Sequence, residues 1–332
     1  MPAKTTLTST RTVSPALTEA PVLAHVVRSG FVESVHRGAV VVTTCDGDVE
    51  WALGDPSGPV FARSANKPLQ ALAMVRAGLD LSDDELALAC ASHSGEPFHL
   101  DAARRILAGA GLTEADLQNT PDHPIDEVER QAWVVARRPR SSLAQNCSGK
   151  HSAMLATCVV NGWDLSTYRD PTHPLQLAIA ATVEEISGER VVAVGVDGCG
   201  APLHGFALSG LARAFGRIAS APAGAPAAQV ADAIRARPQY LGGTHRQVTT
   251  LVREVPGLIA KDGAESVYAV GLADGRGIAV KVADGNPRAK GVVLAAVLRR
   301  LGIEAPAALA ELEAAPVMGH GEPVGAIVAT GV

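Results

Sequence analysis

SVYAVGLADGRGIAVKV, residues 266–282, carries the clearest fold signal in the chain. Two β-rich runs, Ser266–Gly271 and Gly277–Val282, flank Ala273-Asp274-Gly275-Arg276, and an Asp-Gly turn between such runs predicts a hairpin. A matching signal lies near the other end. Val22–Arg28, Phe31–His36, Ala39–Thr44 and Val49–Leu53 read as strands, and Asp46-Gly47-Asp48 turns the last two into a hairpin. Between these ends apolar positions recur at helical spacing. Helices are expected over Ser64–Ala77, Asp83–Ala91, His99–Ala110, Ser148–Val160, His173–Ser187, Ala207–Ala219 and Ala225–Arg235. Val191–Val196 reads as a strand or a buried connection. Arg288–Leu301 and the Ala/Glu-rich Ala305–Ala315 are helical, and Val324–Thr330 is a last strand.

Strands at both ends and helices between give an α+β fold, with one sheet built from the two termini, flanked by helices and carrying a large helical insertion. Short hairpin loops make that sheet mainly antiparallel, since parallel pairs need long crossovers. Residues 1–20, rich in Thr and Ser, read as a disordered tail. Residues 21–332 read as a single unit, with 21–60 and 255–332 forming the sheet layer and 61–254 the mainly helical part.

The 332 residues are enough for one large domain. A charged fraction of 19% and a net charge of −5 leave no basic footprint, so nucleic-acid binding is not expected. Aromatic residues at 3% are too few for a stacking platform. No apolar run reaches the roughly 18 residues of a membrane span, and the first twenty residues lack an apolar signal core, so a cytoplasmic location is expected. Five cysteines, an odd number, argue against a disulfide framework.

Four segments can carry chemistry. In Arg63-Ser64-Ala65-Asn66-Lys67, Ser64 and Lys67 stand three apart and share a helix face. A neutral lysine beside a serine hydroxyl can act as its base. An unperturbed lysine is neutral in only about one molecule in 2,500 at pH 7, so burial or nearby positive charge must lower its pKa. The bland alternative is a helix cap and a solvated lysine. Cys90-Ala91-Ser92-His93-Ser94-Gly95-Glu96 packs two hydroxyls, an imidazole and a carboxylate between helices, as a catalytic loop or as capping groups. Asn146-Cys147-Ser148-Gly149-Lys150-His151 places Cys147 and His151 at i and i+4, and Cys199 in Asp197-Gly198-Cys199-Gly200 would complete a partial zinc site. A tight junction with two buried thiols fits the same residues. Lys261, after Leu258-Ile259-Ala260, points into a core edge or cleft, or ends a strand in solvent.

Taken together, ESVHRGA (from Glu33), RSANKPLQAL, CASHSGE, NCSGKHSAML, VDGCGAP and the lysine before DGAESVYAVGL form an ordered set. This set resembles the thermolabile, rhizobial-type L-asparaginases of the asparaginase II family, from about Val22 to at least Val282. The resemblance implies a fold like the serine β-lactamases, D,D-peptidases and serine glutaminases. It implies hydrolysis of L-asparagine to L-aspartate and ammonia through an acyl-enzyme. Ser64 and Lys67 would be nucleophile and base, Ser92 and Lys261 a second Ser–Lys pair, and Cys147, Lys150 and Cys199 zinc ligands. It also implies a homodimer. Arg63 is then a candidate for the substrate α-carboxylate, Asp197 for its ammonium, and His151 for a further substrate contact.

The nearest alternative is a glutaminase or broader serine amidase on the same scaffold, since one methylene is worth only about 1–3 kcal/mol in a pocket. A D,D-peptidase fits less well, because neither an export signal nor a KTG block is evident. A catalytically silent amino-acid-binding protein would bind asparagine without releasing ammonia. The joint presence of Ser64, Lys67, Ser92 and Lys261 argues against it.

Overall fold

The computed structural model describes residues 15–332. Eleven strands form two sheets among these residues: β1 Val22–Arg28, β2 Phe31–Thr43, β3 Val49–Leu53, β4 Pro59–Phe61, β5 Ala193–Val196, β6 Pro202–Ala207, β7 Ile259–Gly263, β8 Val267–Gly271, β9 Gly277–Val282, β10 Pro316–Gly319 and β11 Glu322–Ala329. The main sheet runs β10-β11-β1-β2-β9-β8-β7, with β3 also paired to β2. Every pairing is antiparallel. Chain start and chain end thus interleave in one layer, as the terminal hairpin signals require.

The break expected between Phe31–His36 and Ala39–Thr44 does not occur; both belong to β2. Gly38 explains the continuity. A Cβ there would lie 2.1 Å from the Lys281 carbonyl oxygen, so only glycine lets β2 pass β9 this closely. The first half of β2 is exposed on β1, and the second half is buried between β9 and β3.

The helical part also differs in detail from expectation. It contains a second, three-stranded sheet in the order β4-β6-β5. Of the two readings of Val191–Val196 the strand holds, as β5 over Ala193–Val196, and it is a largely exposed edge rather than a buried connection. Three further helices, Glu127–Val135, the single turn Pro238–Leu241 and Gln247–Glu254, lie where none was expected. The expected tail reaches too far, because Pro15–Thr18 is helical; the rest of that tail before residue 15 lies outside the described residues.

The Leu208–Ala219 helix packs along β2, β8 and β9, while Lys290–Arg300 packs against β1, β8, β9 and β11. In the insertion, Asp83–Ala89, Pro97–Gly109 and Ser148–Asn161 pack on one another. Ser82 and Glu85 form a capping box that starts the first of these helices. Gly149 sets the distance between the first and third. A Cβ at Gly149 would meet Leu88 Cγ at 2.4 Å and the Leu88 carbonyl oxygen at 2.6 Å. Gly149→Ala is therefore expected to cost about 1–3 kcal/mol, read as a lowered Tm; an unchanged Tm would show that Leu88 can step aside. No helix among the described residues is long and apolar enough to cross a membrane.

Candidate active site

Five separate stretches of chain deliver the site, the fifth being β7 with Lys261. The first is a 3₁₀ turn, Arg63–Asn66, which runs straight into the Lys67–Arg76 helix. It places Ser64 one turn before Lys67. Arg63 enters with φ of 50°, a left-handed conformation that costs a non-glycine residue about 1–3 kcal/mol and tends to survive at functional sites. Its guanidinium is held by Asp197, with Nε donating to Oδ1 at 3.0 Å and Nη2 lying 2.9 Å from the same oxygen.

The second stretch is the loop after Asp83–Ala89. Backbone N–H groups of Ser92, His93 and Ser94 donate to Leu241, Asn146 and Gly242 at 3.1, 3.1 and 2.7 Å. Three such anchors fix the Ser92 hydroxyl without using its side chain. His93 lies beneath, fully buried, with Nε2 2.8 Å from Ser148 Oγ and its ring stacked on His99. Burial, helped by His99 and Lys67, holds His93 well below the usual histidine range, so it is neutral at pH 7.

Lys67 joins these stretches. It is 1% exposed, and its amine donates to the Ala91 carbonyl, to Ser92 Oγ at 3.1 Å and to Cys147 Sγ at 3.2 Å. The structure therefore pairs Lys67 with Ser92, across the two Ser–Lys pairs that the family resemblance implies. All four of those residues still belong to one neighbourhood. The end of β7 packs on the Arg63–Asn66 turn, and Lys261 in β7 is buried close enough to Lys67 to feel its charge. Burial drives the Lys261 pKa down, Asp262 opposes and Lys67 assists, leaving it at about 8. At that value roughly one amine in ten is neutral at pH 7.

The third stretch starts the Ser148–Asn161 helix, and the fourth is the Asp197–Ala201 turn after β5. Cys147, Cys199 and Ala201 form a small buried cluster of their own. Lys150 Nζ donates to Cys199 Sγ at 3.2 Å. The Cys147 thiol donates to Asn146 Oδ1 at 3.2 Å, and neighbouring Cys199 together with burial pushes its pKa up to about 12. Cys199 is drawn down to about 4, chiefly by neighbouring Cys147, with burial opposing and Lys150 assisting. Burial alone would lower the Lys150 pKa, but the two sulfurs and Asp197 outweigh it and hold the amine above its usual value.

His151 is fully buried one turn on, with Nδ1 2.6 Å from Tyr168 Oη and no partner for Nε2. Burial, with Lys150 adding, keeps it well below the usual histidine range, so it offers no positive charge to a substrate. All five cysteines are free.

Among the described residues, no three His, Cys, Asp or Glu side chains cluster as a metal site; the trio at Cys147 depends on a lysine. Its two sulfurs are donors that zinc takes once deprotonated, whereas a lysine amine is not among zinc's usual ligands. Tetrahedral zinc bound to sulfur and nitrogen would hold them roughly 3.6 Å apart, close to the 3.2 Å between Lys150 and Cys199. Metal uptake there would have to expel the lysine and thiol protons.

Sequence reading missed several partners. Tyr168 supports His151, and Asp262 supports Lys261 at 2.9 Å through Oδ1. Asn66 lies between Ser64 and Lys67, 1% exposed, with both amide atoms unpartnered. A cavity of about 840 Å³ opens beside this site, lined by Phe61, Arg63, Val196, Leu203, Glu265 and Lys281. It shares Arg63 with the cluster but none of the candidate nucleophiles or bases.

Buried lysines, serines and thiols meeting in this way are a constellation that amide hydrolysis can use. Residues 24–329 match the family model for L-asparaginase II, and the chain belongs to that family. No curated protein matches it. Among solved structures, a β-lactamase (Mb2281c) from Mycobacterium bovis aligns at 16% identity and a TM-score of 0.45, covering 86% of this chain and 97% of that one. Mglu in its tris and glutamate form aligns at 13% identity and a TM-score of 0.43, covering 87% of this chain and 65% of that one. Likenesses this distant carry no argument about chemistry.

Proposed function

We propose that the chain hydrolyses L-asparagine to L-aspartate and ammonia, with Ser64 as nucleophile. The observation that carries this reading is the meeting of two buried lysine amines, Lys67 and Lys261, beside Ser92 and the Ser64 turn. Burial holds the Lys261 amine down toward the neutral form, which can take the proton that a serine hydroxyl or water must give up. In the first half-reaction Ser64 Oγ bonds to the side-chain carbonyl carbon and its proton passes to the Lys67 amine acting as base. The tetrahedral adduct collapses as that proton moves to the amide nitrogen, the C–N bond breaks and ammonia leaves. In the second half Lys261, through Ser92, takes a proton from water as the water oxygen bonds to the ester carbon; the bond to Ser64 Oγ then breaks, the proton returns to Ser64, and aspartate leaves.

Arg63 and Asp197 offer opposite charges to the α-carboxylate and α-ammonium of one amino acid, each exchanging its present partner for the substrate. Cys147, Lys150 and Cys199 would hold a zinc ion, whose charge would brace the pocket wall and orient substrate. A cytoplasmic location and a homodimer are expectations of the same reading.

The test is ammonia release from L-asparagine and L-glutamine measured side by side across pH. The neutral lysine is the working form, so kcat/KM should rise about tenfold per unit as pH climbs toward about 8, then level. Preference for glutamine would overturn the substrate, and a profile flat across that range would overturn the role of Lys261.

A further inference from the structure

Lys261 and Asp262 are adjacent in β7, where successive side chains ordinarily leave a strand on opposite faces. Here the lysine folds back. Its amine donates to the Asp262 carbonyl oxygen at 2.6 Å and to Oδ1 at 2.9 Å, although the side chain is fully buried and other directions lead into the core. The strand permits this because β7 is the edge of the main sheet. The second carboxylate oxygen is clamped from elsewhere. Arg246, preceding the Gln247–Glu254 helix, donates to Oδ2 at 3.1 Å, and Lys290, opening the Lys290–Arg300 helix, lies 3.4 Å from it. Lys290 also donates to the Gly263 carbonyl at 3.1 Å and sits over the Tyr268 ring. Three cations share one carboxylate, an excess that a merely structural ion pair does not need.

We propose that Asp262 is a positioning residue for Lys261: its carboxylate aims and retains the amine in the cleft, while Arg246 and Lys290 fix the carboxylate. This rests on Lys261 acting in amide hydrolysis as stated above. The charged and titratable groups facing Lys261 are Asp262 on its own strand, Lys67 on the Lys67–Arg76 helix, Arg246, and the Cys90 thiol at the end of Asp83–Ala89. Only Asp262 among them is negative, since burial pushes Cys90 up to about 12. Without Asp262, burial and the neighbouring cations would act on the amine unopposed. The base would then be neutral at lower pH but weaker and less well aimed.

The near-isosteric Asp262→Asn tests this. Its acid limb of kcat/KM is expected to move down by about one pH unit or more, and kcat above the limb to fall about tenfold or more, with KM little changed. Asp262→Glu should restore much of both. NMR of protein carrying ε-13C-lysine reads the Lys261 titration without any substrate and should show the same downward shift. A lowered Tm with an unmoved acid limb and an unmoved lysine titration would make Asp262 structural only and overturn the proposal. A wild-type protein that releases no ammonia, yet whose Lys261 titration shifts in Asp262→Asn, would overturn the functional reading and leave the clamp standing.

Discussion

Replacing Ser64 by alanine is expected to lower ammonia release from L-asparagine about 10⁴-fold or more while leaving the Tm within about a degree. Ser64 sits in a 3₁₀ turn that is held by its neighbours: the Ala65 N–H bonds the Ala62 carbonyl at 3.1 Å, and the Arg63 side chain is tied to Asp197. Loss of one oxygen atom at a partly exposed position therefore has little to disturb in the fold. In the reaction, by contrast, that oxygen makes the bond on which both halves depend. Residual turnover within tenfold of wild type would mean that another group attacks the amide. Ser92 is the first to suspect, because it is the hydroxyl that Lys67 contacts.

Lys67→Met should be nearly as damaging, about 10³-fold in kcat, for a different reason. Methionine approximates the buried lysine stem but removes the proton acceptor. Ala91, Ser92 and Cys147 all lose a donor together. Methionine leaves no charge to bury in the interior, so the Tm should hold or rise although three hydrogen bonds are lost. Activity and stability would then move in opposite directions. A variant that loses both would show that Lys67 holds the site together; one that keeps both would remove it from the mechanism.

How much of this was legible in advance depended on how local each signal is. The Asp-Gly turns at Gly47 and Gly275 and the period-2 runs beside them announce their hairpins, because each needs only neighbouring residues. The long insertion helices are equally readable from their apolar stripes. The small sheet was not: β4 is three residues long and β5 is an exposed edge, so neither carries a burial pattern. The Glu127–Val135 helix buries none of its residues, and a helix without a buried face has no apolar period to detect.

The site divides in the same way. Each of its motifs is a short run that can be read in place, and the structure brings Ser64, Lys67, Ser92, Cys147, Lys150, Cys199 and Lys261 into linked surroundings. Their pairing is a property of the packing. Lys67 meets Ser92 across 25 residues and Cys147 across 80, at a distance set by how closely Gly149 lets one helix approach Leu88. Arg246 and Lys290 reach Asp262 from 16 and 28 residues away, out of segments with no motif of their own. Arg63 and Asp197 were expected to greet opposite ends of a substrate; in the structure they hold each other, because unlike charges left side by side in a half-buried mouth neutralise one another.

The central claim is that Ser64 carries the acyl group, and it can be tested by catching the ester. Protein mixed with L-asparagine, quenched in acid within the first turnovers and digested for mass spectrometry, should yield an aspartyl ester on the peptide containing Ser64. An ester on Ser92 instead, or free aspartate and ammonia formed with no esterified serine at any quench time, would contradict it.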